Sequence, residues 1–129
     1  KVLSRLDAEI ILQGTFGIGV IRFILIAFLP ITSVLILAQL MHAATFAAHH
    51  SAATKLLQRW FTGPLQARGQ AIMATVSYGL GGTIGGLCAG WIWDLAQPRD
   101  VFVVAAFACG LAGMAIQKMR PRHYPVRKD

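Results

Sequence analysis

Four stretches of this sequence are too apolar and too long to be buried inside a water-soluble domain of its size. Ile10 to Leu29 contains one charged residue, Arg22, while Ile31 to Thr54, Gln70 to Trp93 and Val101 to Gln117 contain no Asp, Glu, Lys or Arg. A helix crosses the roughly 30 Å hydrocarbon core of a bilayer with about 20 apolar residues, and about 17 suffice. All four runs reach that length, the last one narrowly. The expectation is an all-α, polytopic membrane protein with four transmembrane helices over about 10–29, 31–57, 70–93 and 101–117, followed by a basic tail at 118–129. Composition agrees. Of 129 residues, 56% are hydrophobic and 13% charged, whereas soluble domains carry about 25% charged residues.

The breaks between the runs are proline and glycine positions. Pro30 lacks an N–H donor and separates the first two helices in a very tight connection. Thr62-Gly63-Pro64 interrupts the chain after the second helix. Asp94 to Asp100 is polar, holds Pro98 and forms the third connection.

The net charge is +7, and its placement sets the topology. Lys1, Arg5, Lys55, Arg59, Arg68, Lys118, Arg120, Arg122, Arg127 and Lys128 fall on one side of the expected membrane, and Arg99 alone on the other. The positive-inside rule then puts both termini and the middle connection in the cytoplasm. Basic charges that sit between and beyond apolar runs argue against nucleic acid as a partner. The opening Lys-Val-Leu-Ser-Arg-Leu-Asp has neither an initiator Met nor the layout of a signal peptide, which suits an interior piece of a longer chain.

The second helix carries the most unusual side chains: His42, Thr45, Phe46, His49 and His50 inside an otherwise apolar span. His42 and His49 are seven apart, so they share a stripe two turns apart with Thr45 between them; His50 points about 100° away. Ionisable residues within a membrane are costly and usually face a bundle interior or a wet cavity. Histidine also changes charge near neutral pH, which suits a proton relay. The bland alternative is neutral histidines hydrogen-bonding between helices. Arg22 either snorkels to the outer interface or faces a cavity and pairs with an anion through its planar fork.

The third helix is rich in glycine. Gly82, Gly86 and Gly90 recur every four residues beside a second stripe of Gly81, Gly85 and Ala89, spacing that lets helices pack closely. Thr75 and Tyr78 precede that run and could line a cavity. Trp91 and Trp93 on the outer side, and Trp60 with Phe61 on the inner side, read as interfacial anchors. Cys88 and Cys109 lie inside apolar runs with no redox or metal spacing. No triad, HExxH, phosphate loop or dinucleotide fingerprint is present, so an enzyme, a cofactor and a metal site are not expected.

Gln39-Leu40-Met41-His42-Ala43-Ala44-Thr45-Phe46, with His49 following, resembles the tenth helix of major facilitator superfamily transporters of the phenylpropionate-permease-like branch. Trp60-Phe61-Thr62-Gly63-Pro64-Leu65-Gln66-Ala67-Arg68-Gly69-Gln70-Ala71 is similar to that branch's next cytoplasmic connection. Ser77-Tyr78-Gly79-Leu80-Gly81-Gly82, continuing to Ala89-Gly90-Trp91, resembles its eleventh helix. The resemblance implies helices nine to twelve of a twelve-helix protein in a bacterial inner membrane, whose two halves rock about a central cavity. It also implies that His42 and His49 correspond to the branch's tenth-helix histidines.

The expected function is the C-terminal part of a secondary transporter for a small organic solute, an aromatic carboxylate being one candidate, driven by protons. His42, His49, Arg22, Thr45 and Tyr78 are its substrate- or proton-linked residues. The lipid bilayer and the remaining helices of the transporter are its partners. Two alternatives stand beside it. A four-helix homo-oligomer resembling the small multidrug pumps would need an intramembrane carboxylate, and Glu9 lies at a helix boundary. A non-transporting fragment would still insert, because insertion signals are local.

Overall fold

The computed structural model describes residues 7–119. Lys1, Arg5 and the tail beyond Met119, with four of the cations that orient the chain, lie outside the described residues. Five α-helices make up the rest: α1 (Ala8–Phe28), α2 (Thr32–Trp60), α3 (Leu65–Ala74), α4 (Gly82–Leu95) and α5 (Pro98–Met119). A π-helical segment, Thr75–Gly81, joins α3 to α4 without a break, so Leu65–Leu95 forms a single span. The chain is therefore all-α, with four spans long and apolar enough to cross a membrane.

The helices run past the apolar stretches that define them. α2 continues through Lys55 and Arg59 to Trp60, and the third span begins at Leu65, five residues before its uncharged run. Lys118 and Met119 are still helical. Backbone hydrogen bonding propagates a helix until a specific stop, and the stops here are local. Pro30 lies in the three-residue connection between α1 and α2, where the Ile31 N–H donates to the Leu29 carbonyl at 2.8 Å. Gly63 has φ +58°, a left-handed conformation that costs a side chain about 1–2 kcal/mol. Pro98 opens α5, and Asp100 reaches back to accept the Gln97 N–H at 3.1 Å while its own N–H donates to the Gln97 carbonyl at 2.8 Å. This is a reciprocal cap that satisfies donors a helix start leaves free.

Packing centres on α1, which lies along both α2 and α5. Small residues permit the close approach. Ala8 and Ala52 are almost fully covered and cluster with Ile11 and Leu12. On the α5 side, the Cys109 Sγ lies 3.3 Å from where a Cβ on Gly19 would sit, and the Phe16 Cβ lies 3.4 Å from the equivalent point on Gly113. Lipid gives helices no hydrophobic reason to associate, so dispersion at such contacts carries the association. The third span touches α2 through α3 and α5 through α4, while its π-helical middle stands off. A Cβ at Gly82, Gly85, Gly86 or Gly90 would meet nothing within 4 Å. The glycine stripe is thus open within the described chain, and the glycines in close contact lie elsewhere.

Gly69 is the tightest of these. It is buried under Phe61, and a Cβ there would sit 2.7 Å from the ring. Gly69→Ala is expected to destabilise the turn between α2 and α3 by about 1–3 kcal/mol, the usual cost of overpacking. Thermal unfolding of the detergent-solubilised protein measures it, and an unchanged midpoint would contradict the contact.

Candidate functional site

The polar side chains of the spans gather where α1, α2 and the π-helical segment face one another. Two adjoining clefts share Phe16, Phe46 and His49. The smaller, about 150 Å³, lies between α1, α2 and α5, and Arg22, His42, Thr45 and His49 line it together. The larger, about 300 Å³, opens toward the third span and is lined by His49, His50, Ser77 and Tyr78 among apolar groups. Of the residues selected from sequence, four thus meet in one cleft, and Tyr78 stands in the next.

Hairpin geometry explains the meeting. The tight connection at Pro30 makes α1 and α2 antiparallel neighbours. Thr15 and Arg22 are seven apart on α1, as are His42 and His49 on α2, so each pair forms a stripe. Folding one stripe onto the other sets Thr15 against His49 and Arg22 near His42. The Thr15 Oγ1 and His49 Nδ1 are 3.2 Å apart. Near the end of the hairpin opposite Pro30, the Arg59 Nη1 lies 3.4 Å from the Glu9 Oε1. That pair fixes register more than it adds stability, because the arginine is largely exposed.

Each side chain has a definite setting. The Arg22 guanidinium carbon lies 4.3 Å from the centroid of the Phe23 ring, a cation–π distance, and Arg22 lines the cleft beside Cys109. His49 meets the edge of Phe16 at 5.1 Å with the rings nearly perpendicular, the geometry that ring quadrupoles favour. His42 tilts against Phe46 at 5.9 Å. The Thr45 hydroxyl donates back to its own helix, to the carbonyls of Met41 at 2.8 Å and His42 at 3.1 Å. Thr45 therefore offers the cleft an acceptor only.

His50, 100° off the main stripe, has partners of its own. It stacks on Phe46 at 6.4 Å with rings inclined by 12°, and its Nδ1 lies 3.3 Å from the Tyr78 hydroxyl. Tyr78 belongs to the π-helical segment, a wide turn frequent at functional sites. The His50–Tyr78 contact bridges the gap where the third span stands off from α2. Sequence reasoning passed over Thr15, Phe16 and Ser77 and ranked His50 low. The seven-residue match between the α1 and α2 stripes was the signal that could have found Thr15. Among the described residues, no group of three or more His, Cys, Asp or Glu could hold a metal ion.

Comparison with known families turns this geometry into an identity. Residues 1–104 match the model of the MFS_1 like family. The chain belongs to that family of major facilitator proteins. Comparisons with curated proteins and with solved structures found no match. Membership makes this major facilitator chain part of an integral membrane transporter rather than an enzyme, in keeping with its four apolar spans.

The His50–Tyr78 bond makes a quantitative expectation. In a double-mutant cycle with His50→Ala and Tyr78→Phe, the coupling energy should be about 0.6 kcal/mol, the average for hydrogen bonds between membrane helices. Unfolding in mixed micelles reads it, and strict additivity would show that the two side chains do not interact.

Proposed function

We propose that this chain forms helices nine to twelve, the C-terminal part, of a proton-coupled major facilitator transporter of the phenylpropionate-permease-like branch. It works in a bacterial inner membrane with the ends of this four-span segment in the cytoplasm. The cargo is a small organic solute, and aromatic carboxylates are the first class to test. The observation that carries the proposal is the convergence of Arg22, His42 and His49 on one cleft.

The chemistry of that cleft suits coupled uptake. A guanidinium fixed beside a cavity attracts a carboxylate, which it can pair with through two parallel hydrogen bonds. Protonation of either histidine beside it would raise the attraction for an anion on the side where protons are abundant. Phe16, Phe46 and the other apolar lining groups favour a solute with a ring or short hydrocarbon part. Rocking of the two transporter halves then exposes the loaded cleft to either side in turn. Helices outside this chain would complete the cavity and cover the open face of Gly82, Gly85, Gly86 and Gly90.

Uptake by vesicles bearing the transporter that carries this chain tests the proposal, with radiolabelled 3-phenylpropionate and benzoate as probes. His42→Ala and His49→Ala should each abolish accumulation driven by a pH gradient while leaving membrane insertion intact. Arg22→Lys, which keeps charge but loses the fork, should weaken apparent affinity less than Arg22→Ala. Undiminished pH-driven uptake in both histidine variants would exclude them as the coupling groups. Unchanged uptake in Arg22→Ala would exclude anion pairing.

A further inference from the structure

Thr15 is a hydrogen-bonding neighbour of His49 that sequence reasoning did not anticipate, and its hydrogen bonds carry information about the imidazole. The Thr15 hydroxyl has a single proton. It donates that proton to the Leu12 carbonyl of its own helix at 2.8 Å, leaving Oγ1 only its lone pairs for other neighbours. The His49 Nδ1 lies 3.2 Å from the same Oγ1. Two lone pairs cannot face each other at that distance, so the proton between them belongs to Nδ1. A neutral imidazole carries one N–H, which makes Nε2 the bare acceptor.

We infer that Thr15 is a positioning residue that holds neutral His49 as the Nδ1–H tautomer, so that Nε2 alone takes up and releases the transported proton. The inference rests on the proposed proton role of His49. When a proton arrives, the Nε2 lone pair forms the new N–H bond and the ring becomes imidazolium. Nδ1–H continues to donate to Thr15, because Oγ1 accepts in both states. On release, the proton departs from Nε2 and the Nδ1 proton stays. Thr15 thus makes a two-nitrogen ring a one-port proton site. Phe16, packed edge-on against the ring, supports the same orientation.

The surroundings leave Thr15 in charge of Nδ1. The other titratable or charged groups around the two clefts are His42 and His50 on α2, Arg22 on α1, Cys109 on α5 and Tyr78 on the third span. Tyr78 is bonded to His50. Without the threonine hydroxyl, nothing that bonds His49 favours the Nδ1–H form.

Nitrogen NMR of the histidine-labelled transporter in lipid decides the tautomer, at a pH where His49 is neutral and with its signals assigned through His49→Gln. The wild-type ring should show a directly bonded proton on Nδ1 and none on Nε2. Thr15→Val, which keeps the shape but removes the hydroxyl, should move the proton to Nε2 or mix the two forms, and Thr15→Ser should restore Nδ1–H. A wild-type ring protonated at Nε2 would overturn the inference without any variant having to fold. So would an Nδ1–H form that Thr15→Val leaves unmoved. Uptake separates this from the proton proposal: a flipped tautomer with full pH-driven uptake would keep Thr15 as the residue that sets the ring and remove His49 from coupling.

Discussion

The close antiparallel contact between α1 and α2 is the interaction on which the rest of the site depends. It is brought close by alanines, Ala52 of α2 packing in one cluster with Ala8, Ile11 and Leu12 of α1, and held in register near its open end by Glu9 and Arg59. Only at that separation can a threonine hydroxyl on one helix reach an imidazole on the other. Because α1 also lies against α5 through Gly19 and Gly113, the same helix presents Thr15 and Arg22 to a cleft with apolar walls. Backbone groups in lipid must be satisfied within each helix, which leaves side chains as the only hydrogen-bonding groups that can do chemistry there. In the two clefts that means two threonines, both of which spend their protons on their own helices and offer only acceptance, together with three histidines, a serine, a tyrosine and an arginine.

Dynamics enter through the third span. Its ends are packed, but its middle is a wide π-helical turn bridged to α2 by side chains rather than backbone contact. A span held at its ends and loose at its centre is the part of the chain best able to shift when the cavity fills, since few buried contacts resist local rearrangement. The open glycines of α4 continue that uncovered face.

Much of this was legible in the sequence. The four spans followed from run length alone, and Pro30, Gly63 and Pro98 marked the turns. The unusual character of His42, His49 and Arg22 was plain from their setting in apolar runs. Helix boundaries were less legible, because charged residues such as Lys55 and Arg68 continue a helix beyond its apolar stretch as readily as they end it. Partnerships were harder still. Periodicity says which residues share a face, not which face meets which neighbour. The hairpin arithmetic that pairs positions 15 with 49 and 22 with 42 becomes compelling only once α1 and α2 are known to be in contact. The π-helical turn that brings Tyr78 to His50 leaves no periodic mark, and the glycines that pack closely, Gly19, Gly69 and Gly113, are not the ones with conspicuous spacing.

The central claim is that the Arg22–His42–His49 face lines a solvent-reachable cavity rather than a dry helix contact. Single-cysteine labelling measures this most directly, in the transporter that carries this chain with Cys88 and Cys109 changed to serine. His42→Cys, Phe46→Cys and His49→Cys should react with a water-soluble maleimide, while Phe107→Cys on the uncovered face of α5 should stay inert in lipid. Inert cysteines at all three α2 positions, under conditions where a loop position such as Thr62→Cys reacts fully, would contradict the account.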